Sequence, residues 1–180
     1  MLKSDEFEWT GERLTTGKSN EIVIHHLHRY AIALDLVKDK VVLDIASGEG
    51  YGSSLLANEA KKVIGVDIEA KVIEFAKAKY KKANLAFKIG RADQMPVDDN
   101  SIDVVVSFET IEHHDKHEEM FLEIKRVLKP DGVLIMSSPD KLNYRDIPKF
   151  YNPFHIKELY REEFKQLVEK YFIKVYYMVR

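Results

Sequence analysis

A chain of 180 residues with 45% apolar and 32% charged side chains is long enough for one domain with its own core, which excludes a disordered or fibrous class. Its 28 basic and 30 acidic side chains give a formal net charge of -2, so no global positive field draws a polyanion and no large nucleic-acid footprint is expected. With no cysteine, thiolate chemistry, disulfides and zinc-thiolate sites are excluded, and a reducing cytoplasm is the expected compartment. No apolar run approaches about 18 residues and the charged start lacks the apolar core of a signal peptide, so neither membrane spanning nor secretion is expected.

The first 20 residues show no sustained period of 2 or 3.6 and read as an arm or lid on a single domain spanning residues 1–180. From Glu21 to about Val37, Ile22, Val23, Leu27, Tyr30, Ala31 and Leu34 recur at helical spacing, with Asn20 as N-cap. Strands and helices then alternate. Strands are expected at Val41–Ile45, Val63–Val66, Leu85–Ile89, Ile102–Phe108 and Val133–Ser137, with helices near Ser53–Asn58, Ala70–Tyr80 and Glu118–Leu128. Pro130-Asp131-Gly132 reads as the turn before the fifth strand. A loop over 139–153, an amphipathic helix carrying Phe164, Leu167 and Val168, and a last strand at Ile173–Val179 complete the pattern. The strands are nearly continuous apolar runs, as expected when helices cover both faces of a mostly parallel sheet, so the expected class is a Rossmann-like, doubly wound α/β fold.

In such sheets ligands bind beyond the carboxyl ends of the strands, where the connection direction reverses. There the first strand runs into Asp44-Ile45-Ala46-Ser47-Gly48-Glu49-Gly50-Tyr51-Gly52-Ser53. Glycines at alternate positions allow positive φ and close approach of a ligand to the main chain, while the following helix N-terminus favours a carboxylate. Asp44, at the end of an apolar strand, calls for a compensating donor or cation, such as the ammonium of an amino acid. Two features disfavour NAD: Ser53 stands where the dinucleotide fingerprint wants its third glycine, and Asp44 would face a pyrophosphate. Asp67, ending the second strand, is placed to accept ribose hydroxyl hydrogens. An aminoacyl nucleoside satisfies all three.

This D-x-x-x-G-x-G loop resembles the first motif of class I S-adenosylmethionine (SAM) dependent methyltransferases. Arg91-Ala92-Asp93, Phe108-Glu109 and the segment LKPDGVLIMSSP are similar to later elements of that family, so the likeness covers roughly residues 40–140. The resemblance implies SAM as cofactor, held by Asp44, Ala46, Ser47, Gly48, Glu49, Gly50, Asp67, Ile68, Ala92, Asp93, Phe108 and Glu109. Two plainer roles stay open: Asp93 as a turn cap, and Ser47 as a small residue fitting a tight loop. The family's usual sheet has seven strands, so a missing seventh would leave an edge to be filled by Ile173–Val179 or by a second chain in a homodimer.

Past the fourth strand the chain reads Glu109-Thr110-Ile111-Glu112-His113-His114-Asp115-Lys116-His117. Glu109, Glu112 and His113 would share a face if this stretch turns helically, and His155 would join them from across the cleft. The E-x-x-E-H spacing with a distant histidine resembles the magnesium site of small-RNA 3'-terminal 2'-O-methyltransferases. That likeness implies a divalent metal held by Glu109, Glu112, His113 and His155, and a catalytic set of His113, His155 and Glu112. The same residues also fit a metal-free reading, in which the glutamates close the cofactor site or cap a helix and His113 packs beneath the adenosine. His114 and His117 read as solvated, with either able to act as a base near neutrality. Trp9, Tyr144, Phe150 and Tyr151, with Arg13 and Arg145, are the expected acceptor walls. The GERL arm, HLHRY helix and NPFH loop resemble bacterial methyltransferases of polysaccharide and glycan biosynthesis. The expected acceptor is therefore a hydroxyl, or an amine, of a small molecule such as a sugar or glycan precursor. The alternatives are a metal-dependent RNA 3'-terminal 2'-O-methyltransferase and a SAM-binding subunit without catalysis.

Overall fold

The computed structural model describes residues 21–178. The arm of residues 1–20, with Trp9, Arg13 and the Asn20 cap, and the side chains of Ile22 and Val23 lie outside the described residues. Five strands form one sheet: β1 (Val41–Ile45), β2 (Lys62–Asp67), β3 (Leu85–Ile89), β4 (Ile102–Phe108) and β5 (Leu128–Ser137). Their order is β3-β2-β1-β4-β5 and every pair is parallel. Helix α1 (Glu21–Val37) precedes β1, α2 (Tyr51–Leu56), α3 (Ala70–Lys79) and α4 (His117–Val127) connect β1 to β2, β2 to β3 and β4 to β5, and α5 (Arg161–Tyr171) follows β5.

Alternation along the strands sets the two layers. Val42, Val63, Val104 and Val106 point to one face, where Tyr30, Ala33 and Val37 of α1 and Leu56 of α2 cover them. Leu43, Ile64 and Val105 point to the other, beneath Met120, Phe121, Ile124 and Val127 of α4 and Val168 of α5. The buried stripe of α1 is thus Tyr30–Ala33–Val37, whereas Leu27 and Ala31 of the predicted stripe are exposed. Helix α2 starts two residues earlier than the sequence pattern placed it.

The Pro130-Asp131-Gly132 segment is a bulge inside β5 and not a turn before it: Ile102 pairs with Leu128, but Val104 already pairs with Val133. A larger difference lies at the end. The strand expected at Ile173–Val179 is irregular as far as it is described, and no neighbour of β5 other than β4 occurs among the described residues. A strand needs a ladder partner as well as β-forming residues. Here the tail folds back on the helices instead: Phe172 packs edge-on to Phe121 and Tyr177 donates to Glu169 Oε1 at 3.1 Å.

The connection direction reverses between β1 and β4, which opens a crevice at the carboxyl ends of these strands.

Candidate active site

The crevice holds a cleft of about 820 Å³. Its floor is the β1–α2 loop, whose tight path uses left-handed conformations at Ala46 (φ 57°), Gly48 (φ 53°) and Gly50 (φ 84°). Gly52 serves differently. It lies in α2, where a Cβ would come within 2.0 Å of the Tyr30 ring, so its glycine permits close helix packing. The third left-handed residue of the loop is thus Ala46 and not Gly52, the third of the alternate glycines.

Asp44 is fully buried and does not line the cleft. The donors that compensate it come from the protein: Ser53 Oγ at 2.6 Å and the Tyr30 hydroxyl at 3.2 Å. Burial nevertheless pushes its carboxyl up to about 7, with the two hydroxyls opposing that rise. Asp67 stands in the cleft wall, its carboxylate accepting from Gly48 N (2.9 Å) and Glu69 N (3.0 Å). Two fixed backbone donors aim this carboxylate and tie the glycine loop to the end of β2.

Ala46, Ser47, Gly48, Glu49, Ile68, Ala92, Asp93, Phe108 and Glu109 also line the cleft, whereas Gly50 does not. Asp93 is chelated by Arg91 and reached by Lys116 at 2.8 Å, which holds its carboxyl well below the usual range. The segment that follows is anchored to α4, because Arg126 donates to Met95 O and Val97 O while Glu123 accepts from Met95 N. Glu109 (φ 50°) turns away from the predicted metal group: it accepts from Ser137 Oγ at 2.6 Å and pairs with Arg29 of α1 at 3.1 Å.

The residues fit SAM. The Ser47 hydroxyl is buried in the loop without a hydrogen-bond partner among the described residues, as suits a group that meets a ligand carboxylate. A Cβ placed on Gly48 would meet nothing within 4 Å, so the space above this backbone is open to a ligand.

Opposite the loop, a 3-10 turn (Ile111–His113) brings Glu112 and His113 into the cleft, and the segment before α5 brings His155. One potential ligand atom from each of these three lies within 4.8 Å of the other two. His155 Nδ1 is 2.7 Å from Glu158 Oε1, and the Tyr144 ring stacks on the imidazole at 4.9 Å. His113 Nδ1 is 3.0 Å from the Phe154 carbonyl oxygen. The Glu112 carbonyl accepts from both Ile156 N (2.8 Å) and Lys157 N (3.1 Å), so the two segments are joined through their main chains.

His114 and His117 differ from their sequence reading. His114 lines the cleft with a nitrogen 3.3 Å from Met120 Sδ, and His117 is buried against the His114 carbonyl. Desolvation lowers both pKa values. Of the acceptor-wall residues, Tyr144 reaches the cleft, while Phe150 packs on Tyr144 and Tyr151 lies under Arg145. Sequence reasoning missed Glu158, although its i,i+3 spacing from His155 was a readable signal, and missed Arg29, which had none.

A profile described as a methyltransferase domain matches residues 43–136, slightly over half of the chain. The chain belongs to the class I SAM-dependent methyltransferase family. It is 34% identical over 165 residues to a probable SAM-dependent methyltransferase of Mycolicibacterium smegmatis, covering 89% of this chain and 63% of that protein. It is 29% identical to a fatty-acid O-methyltransferase of the same species, covering 73% and 47%. The fold matches that of the PH0226 protein from Pyrococcus horikoshii with a TM-score of 0.76 at 23% identity, covering 94% and 90%. The chain therefore spans less than two thirds of the length of these curated relatives.

Proposed function

We propose that this chain transfers a methyl group from SAM to an oxygen of a small molecule, first among the candidates a hydroxyl of a sugar or glycan precursor. The carrying observation is the convergence of Glu112, His113 and His155 on the cleft that the Asp67 loop lines. SAM supplies an electrophilic methyl on a sulfonium, so the protein's tasks are to align an acceptor and raise its nucleophilicity. Alignment can contribute roughly 7–11 kcal/mol. A hydroxyl must also lose its proton, and His113, with Nδ1 on the Phe154 carbonyl oxygen, and His155, with Nδ1 on the Glu158 carboxylate, stand where they can promote that loss, whereas an amine would require less. A fatty-acid carboxylate is the second acceptor class, because one relative is a fatty-acid O-methyltransferase and exposed Phe154 and Ile156 stand beside His155.

The test is methyl transfer from isotopically labelled SAM to three panels: sugars and glycan precursors, fatty acids, and short 3'-terminal RNA. Labelled sugar confirms the first reading, and labelled fatty acid replaces it with the second. His155→Ala should lower kcat at least tenfold with the Kd for SAM unchanged. No SAM binding by calorimetry on folded protein would end the proposal, and label confined to RNA would move it to another class.

A further inference from the structure

We infer that Glu112, His113 and His155 form a binding site for one divalent transition-metal ion. The role given to that ion, activating the acceptor oxygen, rests on the methyltransferase reading above. The site itself does not.

Three kinds of observation support it. The first is proximity: the ligand atoms lie within 4.8 Å of one another. Metal-to-nitrogen and metal-to-oxygen bonds of about 2.0–2.2 Å bring ligand atoms to roughly 3–3.5 Å separation, a closure that small side-chain rotations supply. The second is orientation. The Phe154 carbonyl can only accept, so His113 Nδ1 carries the hydrogen in that bond, and the Glu158 carboxylate imposes the same tautomer on His155. In each neutral ring Nε2 is therefore the coordinating nitrogen. A carboxylate or a backbone carbonyl on the far nitrogen is the usual outer partner of a metal-bound histidine. The third is the frame. Two amides on the Glu112 carbonyl and the Tyr144 ring on His155 fix the group on the wall opposite the glycine loop.

Donor chemistry selects the ion. Two imidazoles and one carboxylate suit zinc, cobalt, iron or manganese, while magnesium and calcium prefer oxygen shells. Three protein ligands leave a position open, the pattern of catalytic sites. In that position an acceptor hydroxyl would lose its proton to solvent. Its oxygen would then form the bond to the methyl carbon as the carbon-sulfur bond breaks, with sulfur keeping that electron pair as a neutral thioether.

The experiment is Co(II) titration of the whole chain, followed by visible d–d absorption with Zn(II) displacement, alongside SAM calorimetry on the same samples. One Co(II) per chain is expected. His113→Ala and His155→Ala should each weaken it more than about 100-fold, and Glu158→Gln about 10- to 100-fold. Asp67→Ala should keep Co(II) while losing SAM affinity, which separates a failure of this site from a failure of the methyltransferase reading. Circular dichroism checks each fold. Should His155→Ala unfold, Glu112→Gln and His113→Gln carry the same expectation. Substoichiometric uptake, or equal Co(II) affinity in folded variants of the three residues, overturns the inference.

Discussion

Two aspartates end neighbouring strands in opposite surroundings. Asp67 meets backbone amides and faces the cleft, so Asp67→Ala removes the wall carboxylate and frees the Gly48 amide. Hydrogen bonds to charged groups contribute about 1.5–3 kcal/mol each, so a loss of SAM affinity of roughly 10- to 100-fold is expected by calorimetry. Asp44 meets hydroxyls in a dry interior and titrates at about 7. Between about pH 4 and 7 the folded chain holds a proton that the unfolded chain has released. Stability is therefore expected to fall as pH rises through this window and to level off above it. The contribution is on the order of 4 kcal/mol, and urea unfolding from pH 4.5 to 8 reads it out. Asp44→Asn should flatten that slope.

Among the elements, α2 depends most on a single missing side chain. Gly52→Ala would drive a methyl into the Tyr30 ring, and the displaced ring also carries a donor to Asp44. A loss of about 1–3 kcal/mol in chemical denaturation is expected. Phe121→Ala, beneath both Tyr171 and Phe172, should cost about 3–5 kcal/mol because it empties the junction of α4 with the tail.

β1, β2 and β4 were legible because burial on both faces forces continuous apolar runs, and the β1–α2 loop because its glycines answer steric demands that leave a mark in residue type. The tail Ile173–Val179 misled because strand propensity carries no information about a pairing partner. Ala46 at positive φ was invisible, since nothing in alanine announces that the loop will strain it. The convergence of Glu112, His113 and His155 was half legible: spacing showed the first two, but the loop that returns His155 is set by tertiary bonds to the Glu112 carbonyl.

In the molecule as a whole, the outer side of β5 has no ladder partner among the described residues, and Val133 in that strand is exposed. Open edges recruit strands from other chains. Sedimentation velocity is expected to show concentration-dependent self-association of this chain, and Val133→Lys to suppress it. The longer relatives carry additional sequence beyond the matched region.

The double acceptance at the Glu112 carbonyl makes one mechanical unit of two segments that look independent along the chain. Amide protons at positions 156 and 157, although outside any helix or strand, should therefore exchange with deuterated solvent as slowly as those of a regular element. The wall opposite the glycine loop is then already shaped before any reactant arrives.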